Sequence, residues 1–189
     1  MKRMKRIFLG ILVISLLNGC VTHSTPHNTS TLDFTIKTPA NPDKYQSVTF
    51  LPFMVHKGVN INDSKFVENF SAELYARLRY DHSGVFQEIS FNNKKPETGK
   101  IIVTGTIRKY RKGSYTKRSI LIGLGVGLFE GEMVIKDSLN GKILLSAPFN
   151  EISLVSNNYG SKTFRNLVTD TAVAIAKTVA LWKQKKITR

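Results

Sequence analysis

The strongest constraint on the fold is a one-sided apolar period near the end of the chain. Phe164, Val168, Thr171, Ile175, Val179 and Trp182 follow one another at steps of four or three residues. This spacing places all six side chains on one face of a long α-helix. A helix of this kind has to bury that face against another layer of structure, so the rest of the chain must supply that layer.

Five upstream stretches are rich in β-branched and aromatic residues and are typical of strands: 47–55, 85–91, 101–108, 128–137 and 143–155. Asn140-Gly141 favours a tight turn between the last two. An earlier helix is predicted over 63–79, where Phe66, Phe70, Leu74 and Leu78 recur at every fourth position. We therefore predict an α+β fold, with a mainly antiparallel sheet of about five strands packed by two amphipathic helices.

The first twenty residues have the layout of a secretory signal. Four basic residues precede an apolar run, 7–17, which is shorter than the roughly twenty residues that a membrane-spanning helix needs. The following Leu17-Asn18-Gly19-Cys20 resembles the bacterial lipobox, in which the signal is cleaved before the cysteine and lipid is attached to it. Cys20 is the only cysteine, so an intramolecular disulfide is impossible and lipidation of Cys20 is what the resemblance implies. An uncleaved membrane anchor with an incidental cysteine is the alternative.

These features divide the chain into three parts. Residues 1–19 are interpreted as a lipoprotein signal peptide and residues 45–189 as a single periplasmic domain. Residues 20–44 are rich in Ser, Thr, Asn and Pro, and we expect a lipidated N-terminus and flexible tether, with a short extended piece possible at 32–36. Val21 stands where a retained lipoprotein would carry aspartate, so the resemblance implies anchoring in the outer membrane.

The chain is strongly basic, with 28 Lys and Arg against 13 Asp and Glu and a formal charge of +15. Loss of the four basic residues in the signal still leaves 24 against 13. Export argues against nucleic acid as the partner, and anionic lipid, glycan or an acidic envelope protein remains, with solubility as the alternative. Candidate docking residues are Arg108, Lys109, Arg111, Lys112, Lys117 and Arg118.

Next comes the uncharged run 119–129, with glycines at 123, 125 and 127. A dinucleotide-binding loop is disfavoured because its third glycine would come one place later and a helix would follow. The run is interpreted either as a buried strand or as an exposed apolar segment for a partner or membrane.

Candidate chemistry is sparse. His23 and His27 lie in the predicted tether, and His56 and His82 have no neighbouring ligands at metal-binding spacing. Glu130 and Glu132 share one strand face, so they are expected side by side and solvated, without a cleft between them. We therefore expect no catalytic residue, metal or cofactor.

The arrangement of turn and glycine positions resembles a family of Gram-negative lipoproteins known as a domain of unknown function. The motifs are Leu51-Pro52-Phe53, Gly105-Thr106-Ile107, Tyr110, Gly113, Arg118, the stretch 123–127 and Lys136-Asp137 with Gly141-Lys142. The resemblance implies a small envelope domain without catalytic residues. We expect a non-enzymatic accessory or binding domain, or alternatively a structural subunit of a membrane or secretion assembly that inserts segment 119–129. The oligomeric state is left open.

Overall fold

A mixed sheet with two helices on one of its faces makes up the part of the chain that the structure describes. The structure is a computed structural model and describes residues 31–61, 65–112, 127–153 and 164–186. The strands are β1 (Thr35–Ile36), β2 (Ser47–Phe50), β3 (Met54–Val55), β4 (Glu88–Phe91), β5 (Lys100–Arg111), β6 (Gly127–Asp137) and β7 (Ile143–Ser153). The helices are α1 (Phe66–Asp81) and α2 (Phe164–Lys183), and a 3-10 turn covers Pro42–Lys44.

The strand order is β1-β7-β6-β5-β2-β4, and β3 lies beside β5 beyond the end of β2. The long strands β5, β6 and β7 pair antiparallel, as expected, and so do β1 and β7. Strand β2 runs parallel to both of its neighbours, and β3 runs parallel to β5. The α+β class with two helices is confirmed, whereas the expected five strands become seven in the described residues because the sheet gains two strands of two residues each.

The predicted strand 47–55 is divided at Leu51-Pro52-Phe53. Leu51 still donates its N–H to the carbonyl of Val103 at 3.0 Å, but Pro52 has no N–H to donate. Phe53 is almost fully buried and its backbone N–H bonds to the Ser71 hydroxyl on α1 at 3.3 Å. The interruption therefore moves one aromatic side chain from the strand line into the helix-facing core.

Helix α1 buries the stripe that its sequence period predicts, and α2 buries its stripe from Thr171 to Trp182. In α1 the buried residues include Phe66, Phe70, Leu74 and Leu78. In α2, Ile175, Val179 and Trp182 are buried. The buried Thr171 hydroxyl donates a hydrogen bond to the Leu167 carbonyl at 2.8 Å. Aromatic rings from both layers meet in one cluster: Phe53, Phe66, Phe70, Phe129 and Phe149. This face of the sheet is the core, and we call the opposite one the outer face.

The sheet has two distinct ends. We call one end the hairpin end: there β5 stops at Arg111, β6 starts at Gly127 and β7 stops at Ser153. The Asn140-Gly141 turn between β6 and β7 lies at the other end. At the opposite end β5 starts, β6 stops and α2 ends, with the Trp182 ring 5.7 Å from that of Tyr45. No helix in the described residues is long and apolar enough to span a membrane.

Ordered contacts extend upstream of residue 45, into the stretch assigned to the tether. The Leu32 N–H donates to the Thr178 hydroxyl of α2 at 3.1 Å, and Ile36 lies opposite Leu145 in the sheet. Pro42 is buried in the 3-10 turn. The extended piece expected at 32–36 thus includes the two residues of β1.

Candidate functional site

A bulge in strand β5 positions the first two candidate docking residues. Ile107 lies opposite Gly131, but Lys109 lies opposite the next residue of β6, Glu130, so Arg108 is the extra residue. Ile107 is fully buried, whereas Arg108 and Lys109 are both exposed. A regular strand would send these two consecutive side chains to opposite faces.

The two basic side chains at the bulge are engaged in ion pairs on the outer face. Lys109 Nζ lies 2.8 Å from a carboxylate oxygen of Glu130, and Arg108 contacts the carboxylate of Glu132. Glu130 and Glu132 do share one strand face, as predicted. Each carboxylate is paired with its own cation, so two ion pairs link β5 to β6 on the outer face.

Beyond the bulge the strand carries the remaining basic positions toward the hairpin end. Arg111 lies opposite Leu128 and is exposed, as is Lys112. Lys117 and Arg118 lie outside the described residues. The structure therefore brings Arg108, Lys109 and Arg111 onto one strand.

Only the last three residues of segment 119–129 are described. Gly127 and Phe129 are buried in β6, and the Phe129 ring lies 5.1 Å from the rings of Phe70 and Phe149. The rest of the segment lies outside the described residues, as do Cys20, His23 and His27. The choice between a buried strand and an exposed segment stays open for 119–126.

In the described part of the chain, no three or more His, Cys, Asp or Glu side chains form a group that could hold a metal ion. His56 is exposed in the loop after β3, and His82 is half-buried at the end of α1.

Sequence reasoning missed a polar group buried at the opposite end. The Lys100 side chain is 1% exposed, and its Nζ lies 3.1 Å from the Lys95 carbonyl and 3.5 Å from the Glu97 carboxylate. The loop that carries these acceptors also bonds Asn93 N–H to the Thr49 hydroxyl at 3.3 Å. It covers the outer face there, and the lysine-rich sequence of that loop carries no signal for this burial.

Sequence reasoning also missed a groove beside the end of α2 and the polar groups near that groove. The Tyr45 hydroxyl, at the same end, donates to Asp137 at 2.9 Å. Burial, together with the hydrogen bond to Asp137 and its charge, raises the pKa of Tyr45 to about 12. Some residues that line the groove belong to the predicted tether and others to the predicted C-terminal helix. Because these segments are far apart in sequence, no local pattern indicates that they lie close together.

Solved structures that are similar to this fold come from bacteria. The PelC dodecamer from Paraburkholderia phytofirmans has a TM-score of 0.50 and 11% identity, over 81% of this chain and 95% of that one. A DUF330 protein from Xanthomonas campestris has a TM-score of 0.49 and 9% identity, over 84% and 99%. At such identities the likeness concerns the fold alone.

No curated protein matches the chain in sequence. A family model does match residues 54–154, which run from β3 through β7 and include the bulge and its ion pairs. This agrees with the resemblance seen in the glycine and turn motifs. The chain belongs to the family described as a domain of unknown function, DUF4410.

Proposed function

We propose that the protein is a lipoprotein anchored through Cys20 to the outer membrane, which holds a non-enzymatic accessory or binding domain in the periplasm. The observation that carries this proposal is the lone cysteine at the end of a basic and apolar leader. The described fold begins eleven residues later, at residue 31. A flexible segment of that length reaches roughly 18 Å on average and at most about 37 Å.

The path of the chain supports an orientation for this domain. Strand β1 runs antiparallel to β7, with Thr35 opposite Ser146 and Ile36 opposite Leu145. Within β1 the chain therefore runs from the side of the hairpin end toward the opposite end. We propose that the hairpin end faces the membrane that holds the anchor, where Arg111, Lys112 and the following basic residues meet anionic head groups.

The anchor is tested by expressing the wild type and Cys20→Ala in a Gram-negative host. We expect the mature wild-type N-terminus to carry a diacylglyceryl group and an acyl chain, and the protein to fractionate with the outer membrane. The variant should lose both properties. An unmodified cysteine with residues 1–19 still attached would overturn the proposal.

We call Arg111, Lys112 and the basic residues that follow them the docking surface. It is tested with vesicles that contain phosphatidylglycerol. Replacing Lys112 and Lys117 by Gln should weaken binding about fivefold per lysine at low salt, because each contributes about 1 kcal/mol near an anionic surface. The matched control is the pair Lys109→Gln and Glu130→Gln, which removes an ion pair and keeps the net charge. If the control weakened binding as much as the lysine variant, this surface would not be the docking site.

A second candidate function is that of a structural subunit in an envelope assembly. It is favoured by the fold shared with PelC, which is a dodecamer, and by an outer sheet face that the helices leave uncovered. Native mass spectrometry of the detergent-extracted protein separates the two candidates. A single discrete oligomer would favour the subunit, and a monomer at micromolar concentration would exclude self-assembly of this kind.

A further inference from the structure

A groove of about 580 Å³ runs between the first described segment of the chain and the end of helix α2. Its apolar lining consists of Ile36, Pro39, Ala40, Pro42 and Trp182. Asn41 and Lys185 contribute the polar part. The groove lies at the opposite end from the proposed membrane-facing surface, and its volume is within the range of small-molecule sites.

Several polar groups along this groove are missing or already hydrogen-bonded. Pro39 and Pro42 have no N–H, and the Pro42 carbonyl already accepts from Tyr45 N–H at 3.0 Å and Lys183 Nζ at 3.1 Å. The Asn41 side-chain oxygen accepts from the N–H of Asp43 at 3.2 Å. A bound peptide would need such groups for its own backbone. A hydrocarbon chain needs none of them.

Lys185 is in an unusual backbone conformation at the mouth of the groove. Its φ of 55° lies in the left-handed region, and its N–H bonds to the Trp182 carbonyl at 3.1 Å while Lys186 N–H bonds to the Leu181 carbonyl at 3.0 Å. This is the helix-ending motif in which glycine is the usual residue. A lysine here carries a strained backbone and places an ammonium group beside the apolar lining.

The charge around the groove is positive. Lys183, Lys185 and Lys186 follow one another closely at the end of α2, and Lys44 ends the 3-10 turn. Asp43 is the acid of this turn, and it pairs with Lys185. An apolar groove with a cationic rim is complementary to a hydrocarbon chain that carries an acidic head.

We propose that this groove binds a long-chain fatty acid, with the hydrocarbon along Ile36, Ala40 and Trp182 and the carboxylate at Lys185, where it competes with the carboxylate of Asp43. The site is separate from the docking surface at the hairpin end and does not depend on it. It gives the domain a ligand-binding capacity that is additional to its anchoring.

Trp182 is the only tryptophan of the chain, so its fluorescence reports on the groove alone. The full-length lipidated protein in phosphatidylcholine vesicles is titrated with dibromostearic acid, whose bromines quench indole on contact. We expect saturable quenching that unbrominated stearic acid reverses. Trp182 is 4% exposed, so lipid outside the groove has little access to its ring.

Three variants locate the site. Ala40→Phe fills the groove and should abolish quenching without lowering the melting temperature. Lys185→Gly suits the left-handed backbone and removes the ammonium group, so affinity should fall about two- to fivefold, as for a half-exposed ion pair, while the fold is kept. Lys57→Gln, at an exposed lysine in the loop after β3 and outside both surfaces, should leave the titration unchanged.

Three results would overturn the proposal: absence of saturable quenching in the wild type, quenching retained by Ala40→Phe, or quenching seen only in Cys20→Ala. The last would mean that the protein's own acyl chains occupy the groove. The first two results leave the lipidation of Cys20 and vesicle binding untouched, and the third requires that Cys20 is lipidated, so failure here is distinguishable from failure of the proposed function.

Discussion

At the scale of single residues, two strand glycines determine how closely the aromatic cluster approaches the sheet. A Cβ on Gly131 would lie 2.4 Å from the Phe149 ring and 2.3 Å from the Thr106 carbonyl oxygen. A Cβ on Gly105 would lie 2.4 Å from the Phe53 ring. The glycine in the Gly105-Thr106-Ile107 motif therefore has a packing reason, since only a residue without a side chain leaves room for the ring.

Gly131→Ala should destabilise the domain by about 2–4 kcal/mol, because overpacking here forces both a ring and a backbone to move. Urea unfolding followed by circular dichroism measures the loss. Thr106→Ala is the control on the neighbouring strand, at the residue whose carbonyl oxygen lies against Gly131, and its cost should stay below about 1 kcal/mol. Equal costs for the two variants would contradict the packing argument.

Tyr45 links residue chemistry to stability at high pH. Its pKa is raised from 10.0 to about 12, mainly by burial and further by Asp137. The folded state therefore holds the phenol proton more tightly than the unfolded state does. The resulting stability is fully present below pH 10 and is lost as pH rises toward 12.

Tyr45→Phe should remove this pH dependence. The difference in unfolding free energy between wild type and variant should shrink by about 2 kcal/mol between pH 10 and 12, since a tenfold change in proton affinity corresponds to about 1.4 kcal/mol. Chemical denaturation at a series of pH values measures it. Tyr80→Phe, at a tyrosine that is 76% exposed, provides the control. A constant difference across the range would refute the linkage.

At the scale of elements, the bulge in β5 has an effect on the core as well as on the surface. After the extra residue Arg108, Tyr110 faces the helices again, opposite Phe129 and with its ring 4.7 Å from that of Phe66. The same irregularity thus sends two cations outward and one aromatic ring inward. The inward contact should carry more of the energy, since exposed ion pairs contribute little.

Tyr110→Ala is expected to cost about 2–3 kcal/mol of unfolding free energy, whereas Lys109→Ala should cost below about 1 kcal/mol. Thermal and urea denaturation of the two variants in parallel measure both. A larger loss for Lys109→Ala would mean that the ion pair on the outer face holds the bulge.

The elements that could be predicted from sequence are those with local signals. The period that ends at Trp182 matches α2, the stripe from Phe66 to Leu78 matches α1, and the Asn140-Gly141 turn joins β6 to β7. Strands β1 and β3 are two residues long, too short to display a period.

The parts of the candidate site that escaped prediction depend on long-range packing. The bulge that reorients Lys109 is set by pairing with β6, and the burial of Lys100 depends on a loop that folds back over the sheet. The groove joins Ile36 to Trp182 across most of the chain. No local pattern in the sequence indicates these contacts. The six candidate docking residues form a group only because they are close in sequence.

At the scale of the whole molecule, the sheet gives the domain a direction. Within β1 the chain runs from the side of the hairpin end toward the opposite end, where the 3-10 turn, the groove and the end of α2 lie. If Cys20 carries the anchor and the hairpin end faces the membrane, as proposed, the groove lies on the side of the domain away from that membrane.

The proposed orientation can be measured with single labels, because a lipidated Cys20 would leave no free thiol in the chain. Lys112→Cys and Lys142→Cys place a fluorophore at the hairpin end and at the opposite end. Energy transfer to an acceptor lipid should be stronger from position 112. Equal transfer, or stronger transfer from position 142, would reject the orientation.

The contacts between the first and last described segments bear on how the protein is made. Leu32 bonds to Thr178, Pro42 to Lys183 and Asp43 to Lys185, each across more than 140 residues. A chain that crosses the inner membrane from its N-terminus would expose the partners of these early residues last. If the protein is exported as proposed, its first strands gain all their native partners only after α2 has emerged, so a chain that stalls before residue 164 should be more sensitive to periplasmic proteases than the full chain.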